Sequence, residues 1–125
     1  MTRTRARILH PLATWTPPLV LMAVIYVLSD QPDLSTGLGV WDFVLRKLVH
    51  MAEYALLLFL WWRALRTVVA ARAALALAFC VTLAYACTDE LHQRHVQGRH
   101  GTPVDVGIDA IGMAAAALAI GRRTR

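Results

Sequence analysis

Four apolar runs, each long enough to cross a bilayer as a helix, dominate this chain of 125 residues. They fall at about residues 12–29, 43–62, 68–88 and 104–120. A helix of some 18 residues rises roughly 27 Å, close to the hydrocarbon thickness of a membrane. Backbone groups in lipid must bond within their own segment, so runs of this kind become helices. Hydrophobic residues make up 58% of the chain and charged residues 17%, against roughly 25% charged in a soluble domain. The expected fold is all-α: one domain over residues 1–125, a polytopic bundle of four transmembrane helices. Pro17 and Pro18 lie near the start of the first run, where a missing N–H costs least. Pro32, Gly37 and Gly39 punctuate the polar loop over residues 30–42. Arg3, Arg5 and Arg7 ahead of an apolar run imitate a secretory signal. Asp30-Gln31-Pro32 follows that run instead of a small-residue cleavage site, so it is expected to be a retained span.

The charges are segregated. All eight acidic residues lie in or beside the first and third hydrophilic loops: Asp30, Asp33, Asp42 and Glu53, then Asp89, Glu90, Asp105 and Asp109. Nine of the 13 Lys and Arg residues belong to the opposite side: Arg3, Arg5, Arg7, Arg63, Arg66, Arg72, Arg122, Arg123 and Arg125. Arg46, Lys47, Arg94 and Arg99 share the acidic side. Positive residues favour the cytoplasm, so both termini are expected inside, with the carboxylate-rich side facing outward. The same clustering at the ends of apolar runs argues against nucleic acid as the reason for the net charge of +5. Cys80 and Cys87, on one helix, stand about 10.5 Å apart along its axis, too far for a disulfide.

Chemistry is expected where these carboxylates meet helix faces. On the second run Lys47, His50 and Tyr54 lie within about 60° of one another, and Glu53 is about 60° beyond His50. An ionisable group within a span turns inward or toward a wet cavity. Two readings stay open: a shared polar pocket, or Arg46 and Lys47 reaching the interface while His50 and Glu53 satisfy each other. At the end of the third run Tyr85, Asp89 and His92 share a face, with Gln93 beside them. Asp89 and the adjacent Glu90 point in different directions, and Lys47 or Arg99 is the expected cationic partner for at least one of them. Asp105 and Asp109 lie one turn apart on the stripe that carries Gly112 and Ala116, whose small-xxx-small spacing lets helices approach closely. The loop between the third and fourth runs carries Arg94, His95, Arg99 and His100, able to close over a pocket or meet an anion, or simply to remain wet.

Several segments together resemble the VanZ-like family of small bacterial membrane proteins. They are Ser29-Asp-Gln-Pro32, then Arg46-Lys47-Leu-Val-His50-Met-Ala-Glu53-Tyr54, then Asp89-Glu90-Leu-His92-Gln93, then Arg99, then Asp105-Val-Gly-Ile-Asp109-Ala-Ile-Gly112. The resemblance covers about residues 18–120 and departs from the family pattern at Asp109, where Asn is usual. It implies a bacterial cell envelope protein, in a family named for a component associated with low-level teicoplanin resistance. Three functions are compatible with these residues. One is a membrane protein acting outside on or near a glycopeptide or a lipid-linked wall precursor. Another is a membrane hydrolase or transferase working on a lipid head group, with His50, Glu53, Asp89, Glu90 and Asp105 as candidate catalytic groups. The third, a proton-coupled transporter relaying through Glu53 and Asp109, is disfavoured by four short spans with no internal repeat. Lys47, Tyr54, His92, Gln93, Arg99 and Asp109 are candidate ligand-binding residues. Membrane lipid is an expected partner, as is a second copy packed through the Ala-rich spans. No cofactor is called for, although carboxylates and imidazole would suit a divalent metal.

Overall fold

The computed structural model describes residues 2–31 and 37–125, with residues 2–9 described by backbone alone. Pro32 and Asp33 therefore lie outside the described residues, as do the side chains of Arg3, Arg5 and Arg7. Four helices follow one another: α1 over Thr2–Ser29, α2 over Val40–Leu65, α3 over Ala71–Gln93 and α4 over Pro103–Arg123. No strand occurs among the described residues. Among the described residues, three helical stretches are long and apolar enough to cross a membrane, His10–Ser29, Ala71–Gln93 and Pro103–Arg123. The second helix is as long, at 26 residues, but its first half carries Asp42, Arg46, Lys47, His50 and Glu53.

The polar helix lies at the centre. It packs against α1, α3 and α4, most extensively against α4, while α1 makes no contact with α4 among the described residues. The core follows from this arrangement: Tyr54, Leu57 and Leu58 of α2 meet Ala74, Ala78 and Ala86 of α3, Met113 of α4 and Ile25 of α1. Gly112 sets the spacing of α2 and α4. A Cβ at that position would stand 2.9 Å from the Met51 Cα and overlap the Met51 carbonyl, so only glycine admits this approach. Outside the core, large apolar side chains lie open, among them Leu19 at 55% exposed, Ile111 at 59% and Leu118 at 64%. A surface of that kind in water would be an association hazard; toward lipid it is the expected exterior.

The first helix extends well before the expected start at Leu12 and carries Pro11, Pro17 and Pro18 inside it. Proline within a helix deprives the carbonyl four residues earlier of its donor. For Pro17 that carbonyl belongs to Ala13, and Arg63 of α2 supplies the missing hydrogen bond, its Nη2 donating at 3.0 Å. Trp15 meets Trp61 edge to face nearby, with ring centroids 6.3 Å apart. The opposite end of α1 has its own guanidinium: Arg99 donates from Nε to the Gln31 carbonyl at 3.0 Å and from Nη2 to the Leu28 carbonyl at 3.1 Å. Helix C-termini leave such carbonyls without partners, and a cation there also meets the negative end of the helix dipole. The fourth helix starts on a capping box, in which the Thr102 hydroxyl accepts from the Asp105 N–H and the Asp105 carboxylate accepts from the Thr102 N–H, with Pro103 in the first turn.

Candidate functional site: a polar cluster at one end of the bundle

Antiparallel helices bring the end of α1, the start of α2, the end of α3 and the start of α4 together, and nearly every candidate residue lies there. Two buried acid groups occupy its floor on α3. Asp89, 4% exposed, accepts from the Tyr54 hydroxyl at 2.9 Å and from Gln93 Nε2 at 3.4 Å. Gln93 also donates to the Ser29 hydroxyl at 3.2 Å, which ties α1 to the cluster. Glu90, 3% exposed, has no hydrogen-bond partner among the described residues at either carboxylate oxygen. Its backbone carbonyl is covered by Gly101, where a Cβ would collide with it. The residues before α4 thus fold down onto the end of α3, where Arg94 Nε donates to the Gly101 carbonyl at 3.1 Å.

Above Glu90, α2 and α4 each contribute a polar pair. His50 Nδ1 lies 3.4 Å from Asp109 Oδ1, just beyond ordinary hydrogen-bond range. Asp109 is 1% exposed, and its other oxygen has no partner. One turn toward the helix ends, Lys47 pairs with Asp105 and lies over the Phe43 ring, 5.3 Å from its centroid. The Asp105 carboxylate is thus shared between Lys47 and the α4 cap. Glu53 is half-buried on the wall of the cluster.

The arrangement corrects one sequence expectation and removes one pairing that the sequence left open. Neither Asp89 nor Glu90 forms an ion pair with Lys47 or Arg99: Lys47 goes to Asp105, and Arg99 caps α1. Asp89 is held by neutral donors instead. Nor do His50 and Glu53 satisfy each other, because His50 turns to Asp109 across the α2–α4 contact. His92 leaves the cluster altogether. It stacks on Tyr26 at 4.8 Å between centroids and bonds Asp30 at 2.9 Å, on the α1 side. Tyr85, on the same face of α3, donates to the Met22 carbonyl of α1. The expected docking of Gly112 is present, and Asp105 and Asp109 lie on the packed side of α4.

Two further buried residues at this end, Asp42 and Ser29, are not among the sequence candidates. Asp42 is buried and accepts from the Leu38 N–H at 3.2 Å in the approach to α2. The signal for it was the positive backbone angles the chain needs there, at Gly37 and Gly39. Ser29 is buried under Gln93, and only its place in the Ser29-Asp-Gln segment hinted at it.

Among the described residues, two cavities border both His50 and Arg99. The larger, about 370 Å³, lies between the ends of α1 and α2, with Leu28, Leu45 and Val49 on its apolar side and Arg46, His50, Glu53 and Arg99 on its polar side. The smaller, about 200 Å³, reaches Glu90 and Asp105 between α2 and the residues before α4. Arg46, His50 and Arg99 border both. Chemically the site offers an imidazole beside carboxylates for proton transfer, two guanidinium groups for an anion, and three groups able to hold a cation, His50, Glu90 and Asp109.

No curated protein and no solved structure matches the chain. A family profile does, described as VanZ/LLP1, and it matches residues 2–122, which include every residue of the cluster. The chain belongs to the VanZ/LLP1 family.

Proposed function

We propose that this chain is a multi-pass protein of the bacterial cytoplasmic membrane whose polar end faces outward and engages the head group of a lipid-linked cell-wall precursor, altering how a glycopeptide antibiotic meets that precursor. All four helices cross in this reading, α2 packed against the other three, and both termini are inside. The basic end then lies on the cytoplasmic side, as the distribution of Lys and Arg favours.

The observation that carries the reading is the larger cavity. It joins an apolar wall of Leu28, Leu45 and Val49 to Arg46 and Arg99. Guanidinium groups suit phosphate, and an adjoining apolar wall suits the first carbons of a lipid chain. A volume of about 370 Å³ is within the usual range for small-molecule sites.

The test is an envelope-antibiotic phenotype in cells producing the protein. His50→Ala, Glu53→Gln and Asp89→Asn are each expected to abolish protection against teicoplanin while insertion and abundance stay normal. Full protection in all three well-inserted variants would sink the reading. A second reading, a hydrolase or transferase on the same head group, is favoured by the approach of His50 to Asp109 beside the unpartnered Glu90. Release of radiolabelled product from lipid-linked precursor by the pure protein would select it, and saturable binding without turnover would select the first.

A further inference from the structure

We infer that His50, Glu90 and Asp109 form a binding site for one divalent transition cation of the zinc or manganese type. The inference takes the polar end as the functional site, and it adds to that reading what holds the centre together. One potential ligand atom from each of the three residues lies within 4.8 Å of the others. Ligands of a single ion with bonds of about 2.1 Å lie at most about 4 Å apart. Small side-chain rotations therefore close the set. The three residues come from three different helices, α2, α3 and α4, so the site exists only in the assembled bundle.

The second observation is the state of the carboxylates. Both oxygens of Glu90 and Oδ2 of Asp109 are buried without a hydrogen-bond partner, on side chains 3% and 1% exposed respectively. A carboxylate removed from water needs compensation of this kind, by hydrogen bonds, a cation or a proton. Neighbouring donors are engaged elsewhere: Tyr54 and Gln93 with Asp89, Lys47 with Asp105, and Arg99 with the end of α1. A dication among two carboxylates and one neutral imidazole leaves no net charge. One nitrogen and two oxygens suit zinc or manganese better than an all-oxygen calcium shell or a thiolate-seeking copper ion. Glu90 also borders the smaller cavity, so coordination positions remain on that side for water or a ligand oxygen.

The test uses the full chain in nanodiscs of phosphatidylcholine, stripped with a chelator and titrated with Mn²⁺ while free Mn²⁺ is followed by paramagnetic resonance. One Mn²⁺ per chain is expected to bind saturably, to be displaced by Zn²⁺ and to raise the melting temperature. Glu90→Gln and Asp109→Asn, near-isosteric and checked for helix content, are expected to weaken binding at least about tenfold. Asp30→Asn removes the carboxylate charge from the exposed His92–Asp30 pair and is expected to change nothing. Absence of saturable Mn²⁺ or Zn²⁺ binding to the unmutated protein would overturn the inference, leaving protons to neutralise the buried acids. An equal loss in Asp30→Asn would overturn it as well. The experiment reads binding alone. Metal binding with an unchanged antibiotic phenotype in the cluster variants would count against the proposed function only, and the reverse pattern against the metal site only.

Discussion

Tyr54 and Gly112 illustrate how single residues decide the site. The Tyr54 hydroxyl is the nearest donor to Asp89, and the phenol body fills the core between α2 and α3, so one side chain serves both packing and charge. Gly112 contributes by having no side chain. Its substitution by alanine is expected to force α2 and α4 apart, at a cost of about 1–3 kcal/mol typical of overpacking. Gly107, on the same helix, has open space where a Cβ would stand. Gly107→Ala is therefore expected to be neutral or stabilising by up to about 1 kcal/mol, from helix propensity alone. Reversible unfolding of the two variants in mixed detergent micelles separates these outcomes, and equal effects would refute the close contact.

Among the elements, α1 is the one whose backbone carbonyls take guanidinium donors from elsewhere in the fold. Pro17 frees the Ala13 carbonyl and Arg63 of α2 takes it up, while Arg99 caps the far end from the residues before α4. A double-mutant cycle tests the first of these links. Arg63→Gln is expected to cost about 0.5–1.5 kcal/mol, the net worth of one hydrogen bond to an exposed carbonyl. In a Pro17→Ala background the helix recovers its own N–H, and the cost of Arg63→Gln should fall by about half or more. Strict additivity would show that the two residues are not linked. The extension of α1 before Leu12 was not legible in the sequence, because proline favours the start of a helix over its interior, and Pro11, Pro17 and Pro18 therefore read as a start. The element count was legible, because an apolar run of sufficient length needs no partner to become a helix.

For the whole molecule, the central consequence is that the helix richest in charged residues is the one most extensively packed. All four helices turn large apolar side chains outward, α2 included at Leu45, Leu48, Leu56 and Phe59, while the acids of α2 gather at one end. Labelling decides the orientation of that end. In a chain with Cys80 and Cys87 replaced by alanine, Gln97→Cys is expected to react with an impermeant maleimide added to intact cells. Thr67→Cys, at the opposite end of the bundle, is expected to react only after the membrane is opened. The reverse pattern would put the polar cluster in the cytoplasm and remove an extracellular precursor from consideration.

The sequence by itself determined the helices, the gathering of acids at one end, and the shared face of Lys47, His50 and Tyr54. Each of these follows from periodicity and local hydropathy, which need no neighbour. The tertiary structure alone decided the partners. Lys47 meets Asp105 and not Asp89 or Glu90, His50 meets Asp109 and not Glu53, and His92 turns away to Asp30. Asp42 and Ser29 are buried for the same reason. Which charges meet depends on the rotation and register of one helix against another, and here contacts such as Met51 against Gly112 set that register to within ångströms. No face drawn on a single helix contains that information.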